Sequence, residues 1–102
     1  MDTLDPFTIV AEPSRRSLLD ALQSGAKSVS HLVTDTGLSQ PVVSKHLRIL
    51  KDAQFVTVTP QGQQRIYALN LEAFLAMEHW LRPYREMWSA RLDNLESFLN
   101  QD

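Results

Sequence analysis

The segment LSQPVVSKHLRIL, residues 38–50, followed by Lys51, gathers Lys45, His46, Arg48 and Lys51 in a chain whose formal net charge is -2. Ammonium and guanidinium groups spaced three residues apart share one face of a helix, where together they can hold a polyanion such as a nucleic-acid backbone. Gln40 and Ser44 fall on that same face and add side chains able to meet base edges or phosphate. At about 100° per residue, Val43, Leu47 and Leu50 fall opposite, with Val42, His46 and Ile49 on their flank. The pattern predicts a helix with an apolar inside and a cationic outside. Ser39 is its expected N-cap, and Pro41 is tolerated in the first turn because amides there have no intrahelical partner.

The neighbouring elements must hold that helix in place. Ser28 reads as the N-cap of a preceding short helix whose inner residues are Val29, Leu32 and Val33, and Gly37 is placed to end it in a left-handed conformation, with Leu38 turned inward. Two short helices joined by a tight turn, the second basic outside, outline a helix-turn-helix over about residues 28–53. Beyond Asp52 the period changes from helical to alternating. Phe55–Thr59 and Arg65–Leu69 read as strands separated by PQGQQ, in which Pro60 and Gly62 supply the turn. This hairpin, a wing over about residues 54–69, would carry Gln61, Gln63, Gln64 and Arg65 at its tip.

Upstream, Asp5-Pro6 and Glu12-Pro13 each mark a helix start. The second helix should run from Pro13 to about Gln23 on a stripe of Leu18, Leu19 and Leu22, and stop at Gly25. Arg15 and Arg16, beside Glu12 and Asp20, read as an internal charge network. Downstream, Asn70 is a candidate cap for a helical stretch over about residues 71–99, in which Pro83 should end one helix or kink a continuous one. Leu81, Tyr84, Trp88, Leu92, Leu95 and Leu99 follow one another at spacings of 3, 4, 4, 3 and 4. With Trp80 beside them and Phe7 on the first helix, they form more apolar surface than a 102-residue chain can cover, so a partner subunit is expected to bury it.

Composition bounds the function. A single domain is expected from 102 residues, with 43% hydrophobic and 22% charged residues typical of a folded globular chain. The absence of cysteine excludes disulfides and thiolate metal sites. An acidic opening, MDTLDPFTIV, and the lack of an apolar run near ~18 residues argue against a secretory leader or a membrane span, and a cytoplasmic address is expected. Residues 39–70 carry Lys45, Arg48, Lys51 and Arg65 against Asp52 alone, a balance of +3, whereas residues 1–38 stand at -2 and residues 71–102 at -3. A basic centre between acidic ends can bind a polyanion that the net charge would disfavour. No glycine-rich phosphate loop, metal cluster or acid/base pair marks an enzyme, and His31, His46 and His79 are dispersed as surface or packing residues.

Three stretches, AEPSRRSLLDAL, LSQPVVSKHLRILKDAQFV and WLRPYREMWSARLDNLESFL, together resemble the ArsR-type winged-helix transcriptional regulators over nearly the whole chain. The resemblance implies a homodimeric DNA-binding regulator, usually a repressor, whose N-terminal and C-terminal helices form the dimer interface. It also implies that Gln40, Ser44 and Lys45 face DNA. The chain departs from thiol-using members of the family in SVSHLV, where Ser28 and Ser30 replace cysteine, and hydroxyls are poor ligands for soft metals.

The resulting expectation is a mainly α protein with a small β-hairpin, a winged helix-turn-helix with helical dimerisation elements at both termini. Its candidate DNA contacts are Gln40, Val42, Ser44, Lys45, Arg48 and Lys51 on the helix and Gln63 and Arg65 on the wing. Phe7, Trp80, Leu81, Tyr84, Trp88, Leu92, Leu95 and Leu99 are the candidate dimer contacts. The expected partners are double-stranded DNA and a second copy, with no cofactor, no metal and no membrane; the effector is left open. The competing expectation is a winged-helix scaffold for protein partners, which would have no reason to keep residues 39–70 basic.

Overall fold

Each of the first two helices begins at a proline behind an acidic cap. In the computed structural model, which describes residues 5–100, α1 spans Pro6–Ala11 and α2 spans Pro13–Ala21. Asp2 of the acidic opening and Asp102 of the acidic end lie outside the described residues. The Asp5 carboxylate accepts a bond from the Phe7 amide at 2.8 Å, and the Glu12 carboxylate accepts one from the Arg15 amide at 3.0 Å. Proline fits these first turns because it offers no amide that would need a partner. The stretch expected to end α2 near Gln23 tightens instead into a 3-10 turn over Leu22–Ser24, stopped by Gly25 at a φ of 140°.

A two-residue strand, β1 (Lys27–Ser28), leads into α3 (Val29–Thr36). Ser28 caps α3 through the His31 amide at 3.2 Å, and Gly37 ends it in the left-handed region at a φ of 73°. Thr36 then ties the turn, its hydroxyl donating to the Leu32 carbonyl at 2.7 Å and accepting from the Leu38 amide at 3.2 Å. Ser39 caps α4 (Gln40–Asp52) through the Val42 amide at 3.4 Å. Val43, Leu47 and Leu50 of α4 are completely buried, joining Leu18, Leu22, Leu32 and Phe55 in one core.

The way out of α4 is a left-handed turn without glycine. Gln54 sits at a φ of 66°, the Gln54 amide donates to the Lys51 carbonyl at 2.9 Å, and the Phe55 amide reaches back to the Leu50 carbonyl at 2.9 Å. This is the paired-bond helix ending in which the next residue packs against the last turn, and Phe55 and Leu50 are both buried. Asn70 supports it from across the hairpin, its side-chain amide donating to the Gln54 carbonyl at 2.8 Å and its backbone amide to the Phe55 carbonyl at 2.9 Å. Asn70 therefore makes no side-chain cap for the segment after it, contrary to expectation. Its amide is already committed to the turn.

The wing consists of β2 (Val56–Gln61) and β3 (Gln64–Leu69), antiparallel, with β1 paired to the other side of β3 to complete a sheet in the order β1-β3-β2. Two corrections follow. Phe55 precedes the strand, and Pro60 lies within β2 opposite Arg65, so that Gly62 and Gln63 alone make the turn. Proline is allowed there because β2 is an edge strand, where a missing amide removes nothing from the ladder. Only Gly62 of the two turn residues has positive φ, 63°, the arrangement of a glycine-first hairpin turn.

After a 3-10 turn over Leu71–Phe74, α5 runs unbroken from Leu75 to Leu99. Pro83 neither ends nor divides it; the helix continues through the proline, whose missing amide leaves the His79 carbonyl without its usual donor on an exposed surface. The 25 residues of α5 span about 37 Å at 1.5 Å per residue. This projection gives the chain extents of 65 × 32 × 21 Å and a radius of gyration of 18.0 Å, against about 13 Å for a compact chain of this length. The protein is thus mainly α with a small antiparallel sheet, a winged helix-turn-helix with a long terminal helix.

The left-handed Gln54 yields a direct test. Gln54→Gly should raise stability by about 0.5–1 kcal/mol through relief of the Cβ penalty, and Asn70→Ala should lower it by about 1 kcal/mol through the lost bond to the same turn. Urea unfolding of both variants checks this, and a Gln54→Gly protein no more stable than the parent would show that the turn carries no strain.

Candidate nucleic-acid interface

With Val43, Leu47 and Leu50 turned inward, the three- and four-residue spacing of α4 forces its cations out. Ser44, Lys45, Arg48 and Lys51 are all exposed and line one side of a cleft of about 530 Å³. The wing contributes Arg65 and Tyr67 of β3 to the lining, and α3 contributes Val29. Four of the expected cationic or polar helix residues and one wing residue are thus brought together. Gln40 is exposed in the first turn of α4, outside the cleft lining, Val42 is half-buried on the flank, and Gln63 is exposed at the hairpin turn.

The wing is held against α4 by pairing on both edges of β3. β1 places Lys27 opposite Tyr67 and Ser28 opposite Ile66, which connects the start of α3 directly to the strand bearing Arg65. The Lys27 ammonium binds the Asp35 carboxylate of α3 at 2.5 Å, with the His31 ring 3.7 Å from the same oxygen. Lys27 holds the Asp35 carboxyl below its ordinary range, chiefly by that hydrogen bond.

The electrostatic state of the cleft sets it apart. Among the described residues, Lys45, Arg48, Lys51 and Arg65 take part in no ion pair, whereas Arg82 and Arg85 are both bonded to Glu78 and Lys27 to Asp35. Arg16 and Arg91 are also without an ion pair among the described residues, but they stand on α2 and α5, away from the cleft. Asp52 is the one carboxylate in the lining. Four cations converging with little internal neutralisation favour a phosphate-bearing partner.

Several residues escaped sequence reasoning. Val29, Pro41, Asp52 and Tyr67 also line the cleft; Pro41 and Asp52 stand on α4 itself, while Val29 and Tyr67 are linked through β1, which no two-residue pattern announces. His46, expected as a surface or packing residue, is a packing one: it is 8% exposed and faces α2. Among the described residues Arg15 pairs with no side-chain carboxylate; it donates to backbone carbonyls of α1 and to His46. Ser28 and Ser30 lie with their hydroxyls 3.3 Å apart, and Ser28 is occupied as the α3 cap.

Residues 12–58, from the α2 cap into the wing, match the family described as bacterial regulatory protein, arsR family. The chain is 31% identical over 75 residues to the transcriptional repressor SdpR of Bacillus subtilis, a match covering 74% of this chain and 83% of that one. The chain belongs to the ArsR family. It is also 35% identical over 68 residues to the HTH-type transcriptional regulator Rv2034 of Mycobacterium tuberculosis, covering 67% of this chain and 64% of that relative's length. The crystal structure of the ArsR family transcriptional regulator RHA00566 matches with a TM-score of 0.69 at 33% identity, covering 82% of this chain and 87% of that one. These ArsR-family relatives are transcriptional regulators, not enzymes.

The Lys27–Asp35 pair predicts a pH signature. A carboxyl whose pKa is lowered by folding contributes stability that is present above the ordinary carboxylate range and lost as the pH falls below it. Lys27→Met should therefore unfold earlier than the parent at pH 7, and the gap should narrow in acid. A gap independent of pH in denaturant titrations would show that the pair does not hold β1 to α3.

Proposed function

We propose that the chain is a homodimeric, sequence-specific DNA-binding regulator of the repressor type that works in the cytoplasm. The observation that carries the reading is the cleft in which Lys45, Arg48, Lys51 and Arg65 converge with no ion-pair partner among the described residues, in a chain of net charge -2. In this reading α4 enters the major groove. Gln40 at its first turn meets adenine edges, Ser44 and Lys45 meet bases or phosphate, and Arg48 and Lys51 hold the backbone. Val42 adds an apolar contact at the helix flank. Gln63 and Arg65 reach the backbone or minor groove beside each half-site.

The second copy is supported by α5. Leu81, Tyr84, Trp88, Leu92, Leu95 and Leu99 are between 44% and 69% exposed, a seam of large side chains that a lone protomer leaves in water. Trp80 and Phe7 extend it, their rings meeting edge to face with centroids 5.4 Å apart, which joins α1 to α5 in one surface. Two copies paired through this surface would present two recognition helices to successive major grooves ~34–36 Å apart. The switch is not a thiolate metal site, since the chain has no cysteine and Ser28 is engaged in capping.

Binding-site selection on random duplexes is the deciding experiment, and it should return an enriched pseudo-palindrome at physiological salt. On that site Lys51→Ala should weaken all sequences about equally and lower the salt slope by about one unit, while Gln40→Ala should relax preference at one position per half-site. Zinc, cadmium and arsenite should leave the titration unchanged. Failure to enrich any sequence would favour a winged-helix scaffold for protein partners.

The seam is tested separately. Trp88→Ala with Leu92→Ala removes two mid-seam side chains of the size that costs about 2 kcal/mol or more at an interface, and the variant should be monomeric in sedimentation. Operator affinity should then drop towards the non-specific level, because a monomer holds one half-site. Circular dichroism guards against unfolding; a folded double variant that stays dimeric would place the interface elsewhere.

A further inference from the structure

The buried side of α4 contains one polar side chain, and both of its ring nitrogens face the start of α2. His46 Nδ1 lies 3.2 Å from an Arg15 guanidinium nitrogen, and Nε2 lies 3.9 Å from a Glu12 carboxylate oxygen. Arginine can only donate, so Nδ1 is the acceptor and the ring hydrogen sits on Nε2, toward Glu12. The same guanidinium donates through Nε to the Ile9 carbonyl at 2.8 Å and through Nη2 to the Thr8 carbonyl at 3.4 Å. Those carbonyls belong to the last turn of α1, where helix carbonyls lack amide partners and attract cations. One side chain therefore connects α1, α2 and the recognition helix. Through Phe7 on Trp80, α1 is in turn seated on α5.

Beside these bonds, Leu18 and Leu19 of α2 share one apolar core with Val43, Leu47 and Leu50 of α4. Apolar burial resists separation but has little directionality, so it tolerates small sliding and tilting of one helix on another. A guanidinium differs, because its donors form a rigid planar fork and each bond has a preferred direction. The fork is here shared between two carbonyls and an imidazole on separate elements.

We propose that Arg15 is a positioning residue for the recognition helix: its bonds to His46 and to the end of α1, with Glu12 at the other ring nitrogen, set where α4 sits relative to α1 and α5. In a dimer joined through α1 and α5, that placement sets the separation of the two recognition helices, and so the half-site spacing the protein accepts. The inference rests on the homodimeric DNA-binding reading above and adds to it the element that measures the operator.

The test uses the full-length chain and the operator recovered by random-site selection, together with versions whose half-site spacing is one base pair longer or shorter. One base pair rotates one half-site against the other by about 34°, which a fixed pair of helices cannot follow. Three variants separate the possibilities. His46→Leu keeps the volume and deletes the acceptor, Arg15→Lys keeps the charge and loses the fork, and His46→Gln retains a carbonyl acceptor.

The unaltered protein should prefer its own spacing by about tenfold or more, and His46→Gln should keep most of that preference. Arg15→Lys and His46→Leu should bind the selected operator about tenfold more weakly and discriminate the three spacings by less than about threefold. Their dimerisation in sedimentation, non-specific affinity and salt slope should stay at parental values. Dimeric variants that keep the full spacing preference would overturn the proposal, as would a parallel loss of specific and non-specific affinity, which marks general destabilisation. A parent chain that selects no sequence would instead remove the DNA-binding reading itself.

Discussion

The burial of Val43, Leu47 and Leu50 fixes the rotation of α4 about its own axis, and the rest of the binding face depends on that rotation. All three are fully buried. Each contributes about 1.5–3 kcal/mol relative to exposure, so a turn of one residue would forfeit much of a small domain's ~5–15 kcal/mol of stability while drawing charges inward. Once the rotation is set, the three- and four-residue spacings place Ser44, Arg48 and Lys51 outward without any further instruction. The left-handed turn at Gln54 then sends the chain into β2, and β1 on the far edge of β3 keeps the hairpin across from the helix. Arg65 joins the helix cations because the sheet has three strands.

The same accounting leaves α5 incomplete on its own. Its base is seated by the Phe7–Trp80 contact, and Glu78 bonded to Arg82 and Arg85 braces the helix internally, but its apolar seam stays 44% to 69% exposed. A proline inside a helix costs about 3 kcal/mol, and α5 carries one at Pro83. A helix so burdened, extending about 37 Å from the body, needs burial from outside to be worth its order. The proposed second copy supplies that burial, and it also makes the helix the natural path by which events at one recognition helix reach the other.

Local rules were legible in the sequence and relations between distant segments were not. Ser28, Ser39 and Gly37 act within their own helix ends, where a side-chain oxygen or a missing Cβ suffices, and each does what its position implies. The cationic face of α4 followed from period alone. By contrast β1 is only two residues long, Pro60 is permitted inside a strand only because that strand is at the edge, and Asn70 bonds a carbonyl 16 residues away. Gln54 gave no hint of its left-handed backbone, since glutamine has no special tolerance for it. His46 sat on the flank of an amphipathic pattern, and only the packing of α2 against α4 turned it inward towards Arg15, 31 positions away. The seam of α5 was legible because its spacing persists over five intervals, while the continuity of the helix through Pro83 depended on an exposed carbonyl that water can satisfy.

Local charge, not net charge, decides what an approaching polyanion would meet. Fields from exposed groups are largely screened beyond ~8 Å at physiological ionic strength, so an approaching phosphate responds to the face in front of it and not to the total. At the cleft that face holds four cations and the single carboxylate of Asp52. On α5 the signs are mixed, with Glu78 bonded to Arg82 and Arg85, and Glu86, Asp93 and Glu96 set beside Arg91. Asp52 tempers the cleft itself. A weaker sequence-independent attraction leaves a larger share of the binding free energy to groups that distinguish bases, the part proposed above for Gln40 and Ser44 on the exposed edge of α4.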